Sequence, residues 1–471
     1  MNISNSNAVA SLPLNQIAFS VVDLRATERW WREGLGFLPA GGNRLIFRGS
    51  LTERIVGLPG AATNCWCMVG RNDWCQLEMF QYEQPIARLM PQDFAPNAIG
   101  YTRCGIWVAD FDLALTQLSK LGTEPLSPPF GVEGQRRVCV RNPDGVFVEL
   151  MEADPLPDEN RLGRQDCPAA IRSVTMSTSD FEYSRDFVTT ALGMQEQKVT
   201  LHDDEHESLW GLAGAECKRR VFGGPTLLLE VVEYVSPVGQ PRESDWRIND
   251  QGILNICFGD SVGKDGVDRM FRKSTAAGAK SNSAPQHNPL AGCFYTNDKL
   301  GFSYEFMWAR PFLGHRIFGF VPQDKKHYPS SDNQLVEYEA VSQRAPDDVF
   351  TMLEEQARII GWAGLGRTRH FIRDTERGTK QDVVSAWGVH TEQIIDCEAP
   401  KQLRYRIIKG SPFVNYIGEV LVKPEGGGSR VVWRSRFRSR IPGLGALLRY
   451  VMKRKIKALL DGLVSRNDCD S

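Results

Sequence analysis

Four glutamates stand inside short apolar segments of this chain, and they fall into two matched pairs. Glu78 in the segment QLEMF corresponds to Glu230 in LLEVV, and Glu149 in FVELM corresponds to Glu305 in SYEFM. The members of the pairs lie 152 and 156 positions apart, which indicates a duplicated domain of that length. A carboxylate on a buried strand is costly unless it is paired or used. The four glutamates are therefore the first candidates for ligand binding or proton transfer.

The elements around these glutamates also repeat. A strand, a helix and three further strands follow one another twice between residues 14 and 155 and twice again between 169 and 322, with Pro- and polar-rich linkers after each copy. The last part of the chain, 333–466, differs: it predicts a curved sheet closed by a long helix from about 442 to 464, because leucines recur there at helical spacing. The pattern therefore predicts an α+β protein of three domains.

Composition excludes several classes of function. The chain has 471 residues, 42% of them apolar and 24% charged, with a formal net charge of -1, so no global field favours nucleic acid. No apolar stretch reaches the length of a membrane span, and the first 13 residues lack the apolar run of a signal peptide. The 11 cysteines are scattered, which is typical of reduced thiols in the cytoplasm. We expect a cytoplasmic protein without a nucleic-acid partner or a transmembrane segment.

The duplicated module has an Asn-Pro-Asp-Gly turn at 142–145 before a Val-Glu-Leu strand, and it resembles the vicinal oxygen chelate superfamily of glyoxalase I, extradiol dioxygenases and bleomycin-resistance proteins. The resemblance implies that two modules form one cup, with metal ligands at the start of each first strand and at each closing glutamate. Transferred by position, these are Gln16, Glu78, Arg103 and Glu149 in the first domain, and Ser173, Glu230, Asn255 and Glu305 in the second.

Arg103 departs from the pattern of that family. A guanidinium has five donors and no lone pair for a metal. Placed between Glu78 and Glu149, it would neutralise both carboxylates by charge-assisted hydrogen bonds. We therefore expect an internal salt bridge, and no metal, in the first domain.

The second domain leaves three interpretations open. Its four transferred residues are all oxygen donors, which suit a hard cation weakly. Without a metal or an arginine, Glu230 and Glu305 could not both ionise cheaply, so one pKa would rise and an acid would stand beside a base. A hydrogen-bonded remnant without chemistry is the third interpretation. We predict no cofactor and leave a divalent metal in this domain as the alternative.

Two histidines four residues apart, His202 and His206, are a further candidate for metal ligation. The segment between them is acidic and lacks apolar periodicity. We therefore interpret it as a solvated loop.

The last domain resembles the polyketide cyclase branch of the START-like superfamily, on the helix start PDDVF, the segment APKQLRY and the long closing helix. This resemblance implies a helix-grip fold with a deep apolar pocket for a hydrophobic ligand, and no universal catalytic motif. Alternation predicts Trp433 on the inner face of its strand and Arg434 on the solvated outer face. The polar candidates for the pocket are Trp387, His390, Tyr405, Asn415, Tyr416 and Glu419.

Together these features predict a metal-independent isomerase or cyclase for a hydrophobic, polycyclic or polyketide-like molecule. The residues predicted to be catalytic are Glu230 and Glu305, with Glu419 or Tyr416 in the last domain. One alternative is a protein that only binds or sequesters such a compound, and another is a divalent-metal lyase or dioxygenase that uses the second domain. A homodimer is compatible with all three.

Overall fold

The computed structural model describes residues 12–43, 46–156, 163–164, 166–224, 227–261, 263–323, 333–354, 369–385 and 388–465. The chain forms two compact units, one of residues 1–90 and 94–329 and one of 91–93 and 330–471. Within the described ranges, no helix is both long and apolar enough to cross a membrane. Most of the two predicted linkers falls outside these ranges.

The strands of the first unit are β1 (Leu14–Ser20), β2 (Leu38–Gly42), β3 (Phe47–Arg48), β4 (Ala62–Val69), β5 (Gln76–Gln84), β6 (Gly100–Val108), β7 (Arg137–Arg141), β8 (Phe147–Met151), β9 (Ala169–Ser177), β10 (Gln195–Glu196), β11 (Glu216–Gly223), β12 (Leu228–Ser236), β13 (Gly252–Asp260), β14 (Lys280–Ser281), β15 (Gln286–His287), β16 (Ala291–Asn297) and β17 (Ser303–Ala309). Its α-helices are α1 (Leu24–Arg29), α2 (Ser50–Val56), α3 (Phe111–Lys120), α4 (Phe181–Phe187), α5 (Lys264–Ala276) and α6 (Leu313–Ile317). A 3-10 helix spans Asp204–Trp210.

These strands form four modules, which begin at β1, β6, β9 and β13. One sheet has the order β14-β16-β17-β13-β1-β5-β4-β2 and joins the first module to the fourth, and the other has the order β10-β11-β12-β9-β6-β8-β7 and joins the second to the third. The first strands of the joined modules pair antiparallel in both sheets. The sequence predicts that the two modules within 14–155 share one sheet, and likewise the two within 169–322, and the sheets show that this pairing is wrong. The boundaries 14–155 and 169–322 describe the repeat in the sequence and stay a prediction.

Local signals start the helices at equivalent places in three modules. Asp23, Asp110 and Asp180 follow the first strands and cap α1, α3 and α4, each accepting a hydrogen bond from a backbone N–H three residues later. Such caps satisfy donors that a helix start leaves without partners. The strand–helix corner that opens each of these modules is therefore encoded locally.

The turns before the closing strands are also equivalent. The Asn142 side chain accepts from the backbone N–H groups of Asp144 and Val146, and Asp298 accepts in the same way from Leu300 and Phe302. Gly145 and Gly301 supply the positive φ angles of 78° and 83° that these turns require. The two turns lead directly into β8 and β17, which carry Glu149 and Glu305.

The strands of the second unit are β18 (Gln334–Ser342), β19 (Arg369–Arg373), β20 (Lys380–Ser385), β21 (Gly388–Glu398), β22 (Gln402–Lys409), β23 (Phe413–Glu425) and β24 (Gly428–Ser439), and its helices are α7 (Pro346–Glu354) and α8 (Gly445–Ser465). They form one antiparallel sheet in the order β18-β24-β23-β22-β21-β20-β19. The α+β fold class and the curved sheet with a long last helix are confirmed.

The last helix packs differently from the prediction. Its buried apolar face is limited to Met452, Ile456, Leu459, Leu460 and Leu463, which pack on the inner face of the sheet. Before Met452, Leu447 is 57% exposed and Val451 46% exposed, so the apolar residues that recur at helical spacing are buried only from Met452 onward.

Candidate active site

The first sheet brings together four of the eight transferred residues. Gln16 on β1, Glu78 on β5, Asn255 on β13 and Glu305 on β17 come from the first and fourth modules. In the register, Ala18 pairs with both Glu78 and Asn255, and Cys257 pairs with both Gln16 and Glu305. Because alternate residues of a strand share a face, all four side chains lie on one side of the sheet. We call this group the first cup.

A single amide bridges the two carboxyl groups of the first cup. Gln16 Nε2 donates to Glu78 Oε2 at 2.7 Å and to Glu305 Oε2 at 3.1 Å. Gln76 Nε2 donates to Gln16 Oε1 at 2.6 Å and so fixes the orientation of the bridging amide. The Cys65 thiol donates to Glu78 Oε1 at 3.0 Å. The carboxyl groups are thus held close together by neutral donors.

The electrostatics of the first cup favour protonated carboxyl groups. Among the described residues, no arginine or lysine forms an ion pair with Glu78 or Glu305. Burial raises the pKa of Glu78 to about 7, and burial together with the Glu78 charge raises the pKa of Glu305 to about 8. Two like charges in a poorly solvated site cannot both ionise cheaply. The pair therefore titrates near neutral pH, as an acid beside a base.

The first cup also has polar atoms that suit a ligand. The Oε1 atom of Gln76 is buried without a hydrogen-bond partner within the described part of the chain, and Asn255 is fully buried beside Glu305, whose pKa its side chain helps to lower. Glu78 remains partly exposed, whereas Gln16 and Glu305 are buried. Two carboxylates and two amide oxygens also fit the oxygen-rich ligand set of a hard divalent cation. These four residues would hold such an ion.

The second sheet places Arg103, Glu149, Ser173 and Glu230 together, and we call this group the second cup. Arg103 Nη2 donates to Glu230 Oε2 at 2.9 Å, and its guanidinium carbon lies 3.5 Å from the centre of the Trp210 ring. Ser173 is buried opposite Gly105 on the neighbouring strand. A guanidinium does neutralise a cup glutamate, as expected, but the partner of Arg103 is Glu230, and Glu78 belongs to the other sheet.

His202, which the sequence assigns to a solvated loop, completes the second cup. Its Nε2 lies 2.7 Å from Glu149 Oε2 and its Nδ1 lies 2.9 Å from Glu230 Oε1. Arg137 Nη1 donates to the other oxygen of Glu149 at 2.8 Å. The prediction of a solvated loop at His202 is wrong, because this side chain is fully buried, bridges two carboxylates and packs edge-on against Trp210. The acidic residues that follow His202 in the sequence do not indicate that its side chain is buried.

The pKa shifts in the second cup run opposite to those in the first. Burial would raise the pKa of both glutamates, but it is outweighed. His202 and then Arg103 lower the pKa of Glu230 to about 2, and His202 and then Arg137 hold the pKa of Glu149 well below its ordinary value. Burial lowers the pKa of His202, but the two glutamates raise it above the ordinary value. The second cup is therefore a buried ion-pair network, and Glu230 is not brought together with Glu305.

The predicted polar residues of the second unit fall on both faces of its sheet. Tyr416 and Tyr405 lie on the inner face, where the Tyr416 hydroxyl is 2.8 Å from Ser435 Oγ and 3.5 Å from that of Tyr405. Glu419 lies on the outer face, 3.3 Å from Arg434 Nη1, as the alternation of β23 and β24 requires. Glu419 and Tyr416 therefore do not share a site.

His390 has a partner that the sequence analysis missed. Its Nε2 lies 3.1 Å from Glu392 Oε1, and Gln381 Nε2 donates to Glu392 Oε2 at 2.8 Å. Burial raises the pKa of Glu392, but the hydrogen bond and charge of His390 outweigh it and lower that pKa. Asn415 stands at a β-bulge with a φ of 51°, and Trp387 lies outside the described residues.

Residues 334–467 match the family model described as polyketide cyclase / dehydrase and lipid transport. A search of curated proteins gave no match. Among solved structures, a variant of glyoxalase I from Zea mays is 16% identical, with 63% of this chain and 94% of that chain covered and a TM-score of 0.41. A START superfamily protein from Mycobacterium smegmatis is 11% identical, with 28% and 96% covered and a TM-score of 0.26. A protein from Thermus thermophilus is 26% identical, with 27% and 93% covered and a TM-score of 0.23.

Proposed function

We propose that this chain is an isomerase or cyclase that acts without a metal on a hydrophobic, polycyclic or polyketide-like molecule. The proton transfer is assigned to the first cup, with Glu78 and Glu305 as the acid–base pair. The observation that carries the proposal is the pair of carboxyl groups bridged by Gln16 Nε2, with pKa values of about 7 and 8. A general acid or base works best when its pKa lies near the operating pH.

The chemistry follows from the protonation states of the pair. Near neutral pH the two groups hold about one proton between them, because ionisation of one raises the pKa of the other. The ionised carboxylate removes a proton from a carbon next to a carbonyl group of the substrate. The protonated partner gives a proton back at another position, and the double bond moves.

The ligand class is inferred from the second unit. Its family model covers polyketide cyclases and lipid transport proteins, whose ligands are hydrophobic. The inner face of its sheet combines Trp433 and Phe437 with the hydroxyl groups of Tyr405 and Tyr416. Burial raises the pKa of Tyr416 to about 12, so this hydroxyl acts as a hydrogen-bond donor and not as a base.

Native mass spectrometry of the chain purified from its own host would identify a retained ligand. That ligand is then incubated with the chain in deuterated water, and deuterium incorporation at carbon is followed by NMR. Glu305→Gln should retain binding and lose exchange by about 10²–10⁴-fold, which is the usual contribution of a general acid or base. Glu83→Gln is the matched control, because Glu83 lies on the same strand as Glu78 but on the opposite face.

Two results would replace this proposal. Retained ligand with no exchange in the unmodified chain would indicate a binding or sequestration protein. The second candidate function is a divalent-metal lyase or dioxygenase, and the oxygen donors of the first cup, which lie on one face of the sheet, favour it. The expected metal position within Ser173, Glu230, Asn255 and Glu305 is not assembled, so the ion would be held in the first cup and would polarise a substrate oxygen. Stoichiometric metal in elemental analysis, with exchange lost on chelation, would support that function.

A further inference from the structure

Two thiols face the first cup beside Glu78. Cys65 and Cys67 are alternate residues of β4, so both side chains point to the same side of the strand. Cys67 is the direct cross-strand partner of Glu78 on β5. The two sulfur atoms and a Glu78 carboxylate oxygen all lie within 4.8 Å of one another. Strand register thus builds a compact group of two sulfurs and one oxygen.

The polar atoms around this group also point to a ligand. The Oε1 atom of Gln76, which lies close to the Cys67 thiol, is buried without a hydrogen-bond partner among the described residues. Buried polar atoms without a protein partner are uncommon, and such an atom is typical of a position that contacts a water, an ion or a ligand. Cys65 and Cys67 are themselves 4% and 3% exposed, whereas Glu78 remains partly accessible from the solvent. A small ion could therefore enter past Glu78 and reach the sulfurs.

We propose that Cys65, Cys67 and Glu78 form a site for a thiophilic divalent cation such as Zn²⁺. The two thiols release their protons, and the two thiolates and the carboxylate supply three of the four ligands of a tetrahedral ion. Water or another group of the first cup supplies the fourth. Thiolates select zinc over magnesium or calcium, so this site differs in ligand type from the all-oxygen set of Gln16, Glu78, Asn255 and Glu305.

The site has a consequence that rests on the proposed function. Glu78 belongs both to the acid–base pair and to the sulfur-containing group. A cation bound through Cys65 and Cys67 therefore removes Glu78 from proton transfer. Thiophilic metal would act as an inhibitor of the first cup.

The binding test uses Co²⁺ alone as the probe, added to the reduced full-length chain. Coordination by thiolate gives an intense sulfur-to-cobalt charge-transfer band in the near ultraviolet, which oxygen ligands do not give. We expect one Co²⁺ per chain with this band, displacement by Zn²⁺, and loss of the band in Cys65→Ser and in Cys67→Ser. Cys139→Ser is the matched control, because Cys139 is a buried strand thiol of the other sheet, and it should keep the band.

X-ray absorption of the Zn²⁺-loaded unmodified chain keeps the proposal testable if the serine variants fold poorly. Two sulfur neighbours at about 2.3 Å are expected. A shell of oxygen and nitrogen alone, binding without the charge-transfer band, or a band unchanged in both serine variants would overturn the proposal. Glu305→Gln separates it from the proposed function: this variant should keep the cobalt band while it loses deuterium exchange. Exchange lost in Glu305→Gln in a chain that binds no cobalt would leave the proposed function standing and remove the metal site.

Discussion

Gln16 Nε2 on β1 lies 2.7 Å from Glu78 and 3.1 Å from Glu305, although the two glutamates are separated by more than 200 residues of the chain. This amide is the neutral donor at the position where the other cup has the guanidinium of Arg103. Both cups therefore bury a pair of glutamates, but they stabilise the carboxyl groups in opposite ways. One keeps protons on the carboxyl groups, and the other pairs the carboxylates with cations.

Removal of the bridging amide should raise the pKa of both carboxyl groups further. The hydrogen bond from Gln16 stabilises the ionised form of Glu78 and of Glu305 and so lowers each pKa. We expect Gln16→Leu to move the titration of the pair upward by roughly one pH unit, measured by carbon NMR of the glutamate carboxyl groups. Gln81→Leu on β5 is the control, since Gln81 donates to the backbone of Val22. An unchanged titration in Gln16→Leu would show that the amide does not bridge the pair.

The stability of the first unit should depend on pH through Glu305. Its pKa of about 8 in the folded chain lies above the ordinary value of 4.5, so the folded state binds the proton more strongly. The resulting stabilisation is complete below pH 4.5 and is lost as the pH rises through 8. We therefore expect Glu305→Gln to gain stability relative to the unmodified chain as the pH rises from 5 to 8.

Urea denaturation at several pH values measures this difference. Glu182→Gln is the control, because the Glu182 side chain is 65% exposed, and we expect its effect to be small at every pH. A stability difference for Glu305→Gln that is constant from pH 5 to pH 8 would mean that Glu305 does not hold a proton in the folded state.

Arg103→Met should destabilise the first unit strongly. The substitution keeps much of the side-chain volume over Trp210 but leaves Glu230 with less positive charge in a fully buried site. Breaking a buried ion pair by removing one partner costs about 3–5 kcal/mol, which denaturant unfolding would detect. The control is Arg136→Met, which removes the ion pairs of Arg136 with Asp112 and Glu152. Equal losses in the two variants would contradict the network in the second cup.

Leucines along α8 should differ in their contribution to the second unit. Leu459 is 4% exposed and packs on the sheet, so Leu459→Ala should cost about 2–5 kcal/mol through lost burial and a cavity. Leu447 lies earlier on the same helix and is 57% exposed, and Leu447→Ala should change the stability by less than about 0.5 kcal/mol. The midpoints of thermal unfolding compare the two. A similar loss in both would mean that the first half of the helix is also packed.

Local features of the fold could be predicted from the sequence, and the partnership of the modules could not. The repeated turn at Asn142 and Asp298, and the positions of Glu149 and Glu305 just after it, follow from residues within a few positions of one another. Whether β1 pairs with β6 or with β13 is decided by contacts between modules that resemble one another. Similar modules carry similar patterns of apolar residues, so the pattern does not select the partner.

The same limit explains which site residues were misassigned. Glu230 was expected to face Glu305 because the two are in the same sequence repeat, but the sheets separate them. His202 is buried, and its ring contacts Glu149 and Glu230, which lie 53 and 28 residues away along the chain. The acidic segment around His202 predicts exposure instead. In the second unit, strict alternation does assign Trp433 to the inner face and Arg434 to the outer face, since strand geometry is local. Polar contacts between residues of different strands could therefore not be predicted from the sequence and were identified only in the structure.

Titration of the Glu78 and Glu305 carboxyl groups in the unmodified chain tests the central claim most directly. Carbon NMR of carboxyl-labelled glutamate, assigned with Glu78→Gln and Glu305→Gln, would follow the pair in solution. We predict two steps that belong to the pair, near pH 7 and pH 8. Titration of both groups near the ordinary glutamate value of 4.5 would contradict the acid–base pair and the function proposed for it.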